Sequence, residues 1–341
     1  MSTTYDFIAQ NKRRTWLLVL LFPVAFALLG YVFLFGCAQL AVAHADISSV
    51  ERYQQTSGAL LMGEGTPLER TNRMAMVVLP FLWLVAMIWI WISYISGDQM
   101  LLRAAGAIQI HKFNQREIYC LVENLCIASG LPVPHIYLIQ DESLNAFATG
   151  RDPEHASIAL TTGIVKRLER VELEGVIAHE LSHIKNRDIR LMLITVAGIS
   201  FCTFLAEVCF RMAMSSSRSS RRSKGGNGAL LFVIAGIFFA LYGYCLAPLI
   251  RLAVSRTREY QADASAALMT RNPKALAQAL QKISTDPRVE VLDAHASMAA
   301  MCIENPLGKI GLFSELSGLL ATHPPIEKRI AKLLEMDRVQ A

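Results

Sequence analysis

The chain has 341 residues, 53% of them hydrophobic and 18% charged, with a formal net charge of +5. A charged share below the roughly 25% of soluble domains, with a mean hydropathy of +0.36, excludes a disordered chain and argues against a purely soluble one. A whole-chain nucleic-acid binder is usually more basic, with its charge gathered on one face. Seven cysteines (Cys37, Cys120, Cys126, Cys202, Cys209, Cys245 and Cys302) show no CxxC spacing. Neither a disulfide framework nor a zinc–thiolate site is therefore indicated, and apolar packing accounts for them.

Residues 1–14 are polar and end on Lys12-Arg13-Arg14. Thr15 to Ala43 and Met74 to Gly97 carry no charge. Each exceeds the ~20 residues that cross a bilayer as a helix, so residues 15–97 are expected to form a hairpin of two transmembrane helices. A cleaved signal peptide competes for the first run, but its apolar stretch is longer than the ~7–15 residues of such cores. Basic residues set the orientation. Lys12, Arg13 and Arg14 precede the hairpin, and Arg103, Lys112 and Arg116 follow it. The loop from Asp46 to Arg73 holds three basic and four acidic residues. Both ends of the hairpin are thus expected on the cytoplasmic side.

Beyond it, Glu117–Ser129 reads as a helix stopped by Gly130. Pro134–Ile139, Asn145–Gly150 and Ser157–Leu160 read as short strands, and Ile164–Arg187 as one helix. Two more apolar runs follow: Leu191 to Phe210, interrupted by Glu207, and Gly225 to Ile250. Glu207 is costly inside a membrane unless paired, and Arg211 stands four residues on. The connecting loop 211–228 carries five basic residues and no acid. If both runs span, that loop lies outside against the charge rule; a partly inserted hairpin is the other possibility. Contact with anionic headgroups suits the loop better than RNA binding. Pro273–Ser284 and Pro325–Asp337 read as helices with proline near the first turn. The fold class is mainly α with a small sheet (α+β). Its expected parts are 98–190, the apolar hairpin 191–250, and 251–341.

The informative segment is Val176-Ile-Ala-His-Glu-Leu-Ser-His183. His179 and His183, four apart on a helix, project from one face. Two neutral imidazoles at that spacing supply half of a tetrahedral zinc site. Glu180, about 100° round the helix, cannot easily join the same metal but can reach a water bound to it. A catalytic zinc needs a third protein ligand and one open position. Glu259 is the candidate, with Asp263 four residues on, placed to hold the ring N–H of a ligand histidine. If each helix runs on from its apolar segment, His183 and Glu259 both sit about 12 Å beyond the apolar boundary. They can meet only if the chain between them crosses the membrane twice or not at all.

These residues resemble the M48 family of membrane zinc metallopeptidases and, within it, HtpX-like proteases. The likeness rests on His179-Glu-Leu-Ser-His183 with Asn186-Arg-Asp188, on Ser255-Arg…Glu259…Ala262-Asp263, on Asn145-Ala-Phe-Ala148, and on Thr322-His-Pro-Pro325 with Arg329-Ile330. The resemblance implies a multi-pass membrane protein with a gluzincin-type HExxH catalytic domain. It implies one Zn²⁺ per chain held by His179, His183 and Glu259, with Glu180 as general base. Asn145, Ala146, Phe147 and Ala148 would belong to the edge strand beside which substrate docks, and extended peptides do add to free strand edges. His323 and Arg329 match residues that support the reacting carbonyl.

The family further implies cleavage of misfolded or damaged membrane proteins at the inner (plasma) membrane, with the site facing the cytoplasm. No P-loop pattern is present, in keeping with ATP independence; polypeptides and the lipid bilayer are the partners, and nucleic acid is not. Two other readings stand beside this one. In a membrane scaffold the zinc is structural and closed by a fourth ligand, which His323 could supply. A CaaX prenyl-peptide protease would share the motifs, but its larger membrane chamber exceeds what four apolar runs can build. Oligomeric state is not legible.

Overall fold

The computed structural model describes residues 67–219, 232–241, 256–285 and 324–340, with isolated positions between 13 and 35 and at 243. The architecture is mainly helical with one small mixed sheet. In chain order it runs α1 (Pro67–Ala104), β1 (Ile108–Ile110), α2 (Arg116–Ser129), β2 (His135–Ile139), β3 (Ala146–Gly150), β4 (Ala156–Thr161), α3 (Thr162–Arg167), α4 (Arg170–Lys185), α5 (Asp188–Ser219), α6 (Phe232–Leu241), α7 (Arg256–Thr270), α8 (Pro273–Ile283) and α9 (Ile326–Gln340). Two compact units are built from these: one on Ile92–Ile199 and Cys245–Ala341, the other on Leu17–Trp91 and Ser200–Tyr244.

In the first unit the strand order is β1-β2-β4-β3, with β2 and β4 parallel and both outer pairs antiparallel. Strand alternation gives the sheet two faces. Ile136, Leu138, Ala146, Ala148, Ile158 and Leu160 share a core with Val176, Ile177 and Leu181 of α4 and with Leu276 and Leu280 of α8. Ile139, Phe147 and Ala159 point the other way, into a core with Leu101 and Leu102 of α1 and Leu193 and Val196 of α5. The sheet is therefore covered on both faces. α4 is buried nearly all round, as a central core helix must be, with Val176, Ile177, Ala178 and Leu181 fully enclosed.

The expected strands at β2, β3 and β4 are present; β1, only three residues long, carried no sequence signal. The helix expected over Ile164–Arg187 is two helices. Leu168 and Glu169 are extended. A fresh start follows because the Glu169 N–H donates to the Glu172 carboxylate at 2.8 Å, closing the first turn of α4. Glu172 also receives Lys282 Nζ at 2.7 Å, which ties that turn to α8.

In the second unit, Trp89 of α1 stacks against Phe204 and tilts against Phe201 of α5, at 6.1 and 5.3 Å between centroids. Ala75–Ala104 and Asp188–Ser215 are long and apolar enough to cross a membrane. Little of the first is covered: Met76, Val77, Phe81 and Trp91 are exposed, the surface a hydrocarbon solvent favours. Arg211 Nε donates to Glu207 Oε1 at 3.1 Å, the expected i,i+4 pair. The first apolar run, the basic loop after Ser219 and most of the fourth run lie outside the described residues.

The loop 141–143 lies directly on the first turn of α3. Gly163 N–H donates to Asp141 O at 2.9 Å, and a Cβ on Gly163 would fall 2.0 Å from Glu142 O and 2.4 Å from Ser143 O. Both obstacles are backbone, so the strain cannot be relieved by a rotamer. Gly163→Ala is expected to cost about 1–3 kcal/mol, read as a drop in the unfolding temperature of the detergent-purified protein.

Candidate metal centre

α4 presents His179 and His183 one turn apart, their rings 4.8 Å between centroids and nearly perpendicular. α7 packs alongside and brings Glu259 to them. His179 Nε2 and His183 Nε2 are 3.2 Å apart; Glu259 Oε2 lies 3.8 Å from the first and Oε1 3.6 Å from the second. A tetrahedral ion with bonds of about 2.0–2.1 Å spaces its ligand atoms about 3.3 Å apart; the two imidazole nitrogens stand near that spacing, and the Glu259 carboxylate, one oxygen toward each, completes a group that could hold a metal, its ligand atoms within 4.8 Å of one another. Among the described residues the group has three members, His179, His183 and Glu259, all buried. A closed structural site would need a fourth.

The other ring nitrogens are spoken for. His179 Nδ1 is 2.9 Å from Asp263 Oδ1, and His183 Nδ1 is 3.1 Å from Asp188 Oδ2. A carboxylate at Nδ1 holds the proton there and leaves Nε2 bare for a metal. Each carboxylate is itself anchored by a buried arginine. Arg258 Nη1 donates to Asp188 Oδ1 at 3.1 Å. Arg329, fully buried on α9, grips Asp263 as a fork, Nε to Oδ2 at 2.9 Å and Nη2 to Oδ1 at 2.7 Å. Its Nη1 stands 3.6 Å from Glu259 Oε2.

Glu180, Asp188, Glu259 and Asp263 set four carboxylates against the guanidiniums of Arg258 and Arg329, all buried. The excess of two negative charges, when all are ionised, matches a divalent cation, and buried charge without compensation is costly. The protonation equilibria record this field. Burial opposes a charge on His183, yet its hydrogen bond to Asp188 and the Glu259 charge outweigh burial and push its pKa up to about 9. Burial likewise raises Asp263, but the Arg329 charge and hydrogen bonds bring it down to about 2. For Glu180, which is nearly inaccessible, burial dominates and lifts the carboxyl above the ordinary carboxylate range, the direction a proton carrier needs.

The structure thus brings together His179, Glu180, His183, Glu259, Asp263 and Arg329 of the residues singled out in the sequence. His323 lies outside the described residues. Ala146, Phe147 and Ala148 lie in β3, an edge strand that packs on α4; Asn145 immediately precedes it. The condition that the HExxH helix runs on into the third apolar run is not met; the helix ends close to the expected Arg187. Asn186 caps α4, and Arg187 turns left-handed at φ 58°, a conformation uncommon outside glycine. That turn swings Asp188 back onto the His183 ring, and the strained residue is held by what it delivers. Asp188 and Arg258 are the participants that spacing missed. The signals were an Asp five residues past the second histidine and an Arg beside the third ligand, both indistinguishable in sequence from surface charges.

Residues 112–337 match Peptidase family M48. The chain belongs to this family. It is 39% identical to a Protease HtpX homolog of Bacteroides fragilis over 95% of this chain and 96% of that one. A Protease HtpX homolog of Thermoanaerobacter pseudethanolicus is 34% identical over 97% of each, and one of Ligilactobacillus salivarius is 36% identical over 97% and 99%. The crystal structure of S. mikatae Ste24p aligns at TM-score 0.43 and 20% identity, covering 76% of this chain and 58% of that chain, a likeness too low to argue from. The M48 member is a membrane metalloprotease, and polypeptides are its substrates.

Because Asp188 fixes the ring and proton of one candidate ligand, Asp188→Asn is expected to weaken metal binding about 10–100-fold. Competition with a chromophoric chelator measures this, and unchanged affinity would deny the residue that role.

Proposed function

We propose that this chain is an integral-membrane zinc endopeptidase that removes misfolded or damaged membrane proteins, holding one Zn²⁺ on His179, His183 and Glu259. The observation that carries the reading is the convergence of those three ligand atoms beside a buried carboxyl, Glu180. Zinc, when bound, would polarise the scissile carbonyl and lower the pKa of a water. Glu180 takes a proton from the attacking water and returns it to the leaving amine, so the peptide bond breaks with atoms and charge balanced. Asp263 and Asp188 keep the imidazoles oriented. Arg329 holds Asp263, and its charge, beside Glu259, is available where the carbonyl oxygen turns negative; His323 is proposed as its companion. β3 and the residue before it, Asn145, offer the backbone edge to an extended substrate.

The proposed organisation is a cytoplasmic N-terminus (1–14), a membrane hairpin (15–97), a catalytic domain split into 98–190 and 251–341, and an apolar hairpin (191–250). The basic residues around the hairpin support a site facing the cytoplasm of the inner membrane. A site so close to apolar helices suits substrates that are themselves in the membrane, and no ATP is needed for hydrolysis.

Glu180→Gln is expected to lower proteolysis of a loosely folded protein by about 10²–10⁴-fold with zinc content unchanged. Equal activity in the variant would sink the mechanism. Chelation is expected to abolish cleavage by the native protein, and added Zn²⁺ to restore it; activity that survives metal removal would overturn the metal requirement.

A further inference from the structure

Two apolar boundaries meet in the first unit. The apolar run of α1 ends at Gly97, three residues after Tyr94, and that of α5 begins at Leu191, one residue after Arg190. Arg190 Nη2 donates to the Tyr94 hydroxyl at 2.9 Å, and the guanidinium carbon lies 5.5 Å from the centre of the ring. This contact sets both boundaries at one level. Tyrosine, with an apolar ring and a polar tip, suits the border between hydrocarbon and water. The end of the sheet is fastened at the same level. Arg190 Nε donates to Arg151 O, just past β3, at 2.8 Å, and Arg151 Nη1 reaches Ile95 O of α1 at 3.5 Å.

A guanidinium carries five N–H groups. Arg190 spends two of them on these bonds, and its Nη1 has no partner among the described residues. Arg151 is half-buried, and its Nε stands 3.6 Å from Asp152 Oδ2. Asp152 in turn accepts from the His155 N–H at 2.8 Å and lies 2.6 Å from the His155 ring nitrogen, so it offsets at most one of the two positive charges. Asp188, two residues before Arg190, is engaged by Arg258. The cluster therefore keeps a positive charge at the level where headgroups begin. Beside it, Ile92 and Ile95 are exposed one turn apart on one face of α1.

We propose that Arg151, Arg190 and Tyr94 form a binding site for the phosphate of an anionic phospholipid of the surrounding bilayer. Guanidiniums bind phosphate through paired N–H groups, and basic pockets beside membrane helices suit such headgroups. An acyl chain of the same lipid lies along Ile92 and Ile95. The bound phosphate ties the first turn of α5 to the end of β3, two residues from the Asp188 that orients His183. Lipid thus braces the unit that carries the candidate metal ligands. This rests on α1 and α5 lying in the membrane, and not on proteolysis.

The test follows thermal unfolding of the full-length protein in neutral detergent as short-chain phosphatidylglycerol is added. The unfolding temperature of the native protein is expected to rise, with a half-saturating concentration at least about fivefold lower than that of Arg151→Gln or Arg190→Gln. Lys274→Gln, which removes an exposed charge on α8, is expected to titrate like the native protein, so that loss of net charge is told apart from loss of the site. Short-chain phosphatidylcholine is expected to give no such rise. Inorganic phosphate that matches the lipid's effect would show a site for free anions and overturn the lipid, as would equal titration of all four proteins. Arg151→Gln decides the matter if Arg190→Gln does not fold. A native chain that stays monodisperse after detergent removal would overturn the membrane placement and the site with it. A chain that needs detergent but responds to both lipids alike overturns the site alone.

Discussion

Two imidazoles and a carboxylate, held with their ligand atoms within 4.8 Å of one another, sit in a part of the protein from which water is nearly excluded. Such a cluster is stable only if its charge is matched and its hydrogen bonds are satisfied. Each histidine spends one nitrogen on a carboxylate, and each of those two carboxylates, Asp263 and Asp188, is held by a buried arginine. The consequence reaches far along the chain. α9 must dock so that Arg329 can reach Asp263, α7 must lie against α4, and α4 must break at Asn186 so that Asp188 can return to His183.

The sheet and helices around this cluster serve it through rigidity. α4 is enclosed by the sheet on one side and by helices on others, so the His179–His183 spacing cannot drift. Gly175 lets α8 come close: a Cβ there would stand 3.1 Å from Leu276 Cβ. The same sheet presents β3 at its border, next to α4. A single framework thus positions the metal ligands and the backbone edge proposed to receive substrate, and precise mutual placement of the two is what hydrolysis of a chosen bond requires.

The apolar helices obey a different constraint. Exposed Met76, Phe81 and Trp91 on α1 would be a liability in water and are ordinary in lipid. Glu207 on α5 is paired within its own helix by Arg211, so that charge calls for no partner elsewhere. Leu101, Leu102, Leu193 and Val196, where α1 ends and α5 begins, pack directly under Phe147 and Ala159 of the sheet.

Much of this is legible in the amino-acid sequence. Spacing alone places His179 and His183 on one helical face, makes Glu180 the base candidate and separates apolar helices from the polar remainder, because helical and strand periods are local properties. Helical spacing offers Glu259 as third ligand with Asp263 beside it, and resemblance adds weight to that choice and supplies the docking role of the edge strand. What local pattern does not supply is closure between distant segments. Arg329 lies 66 residues from the Asp263 it grips, and Arg258 70 residues from Asp188. Nor does it foretell the interruption at Leu168–Glu169, where capping prevails, or the left-handed turn at Arg187 that returns Asp188 to His183. Which charges are buried is settled only by packing in three dimensions, since a carboxylate on a helix face looks the same in sequence whether it meets water or a guanidinium.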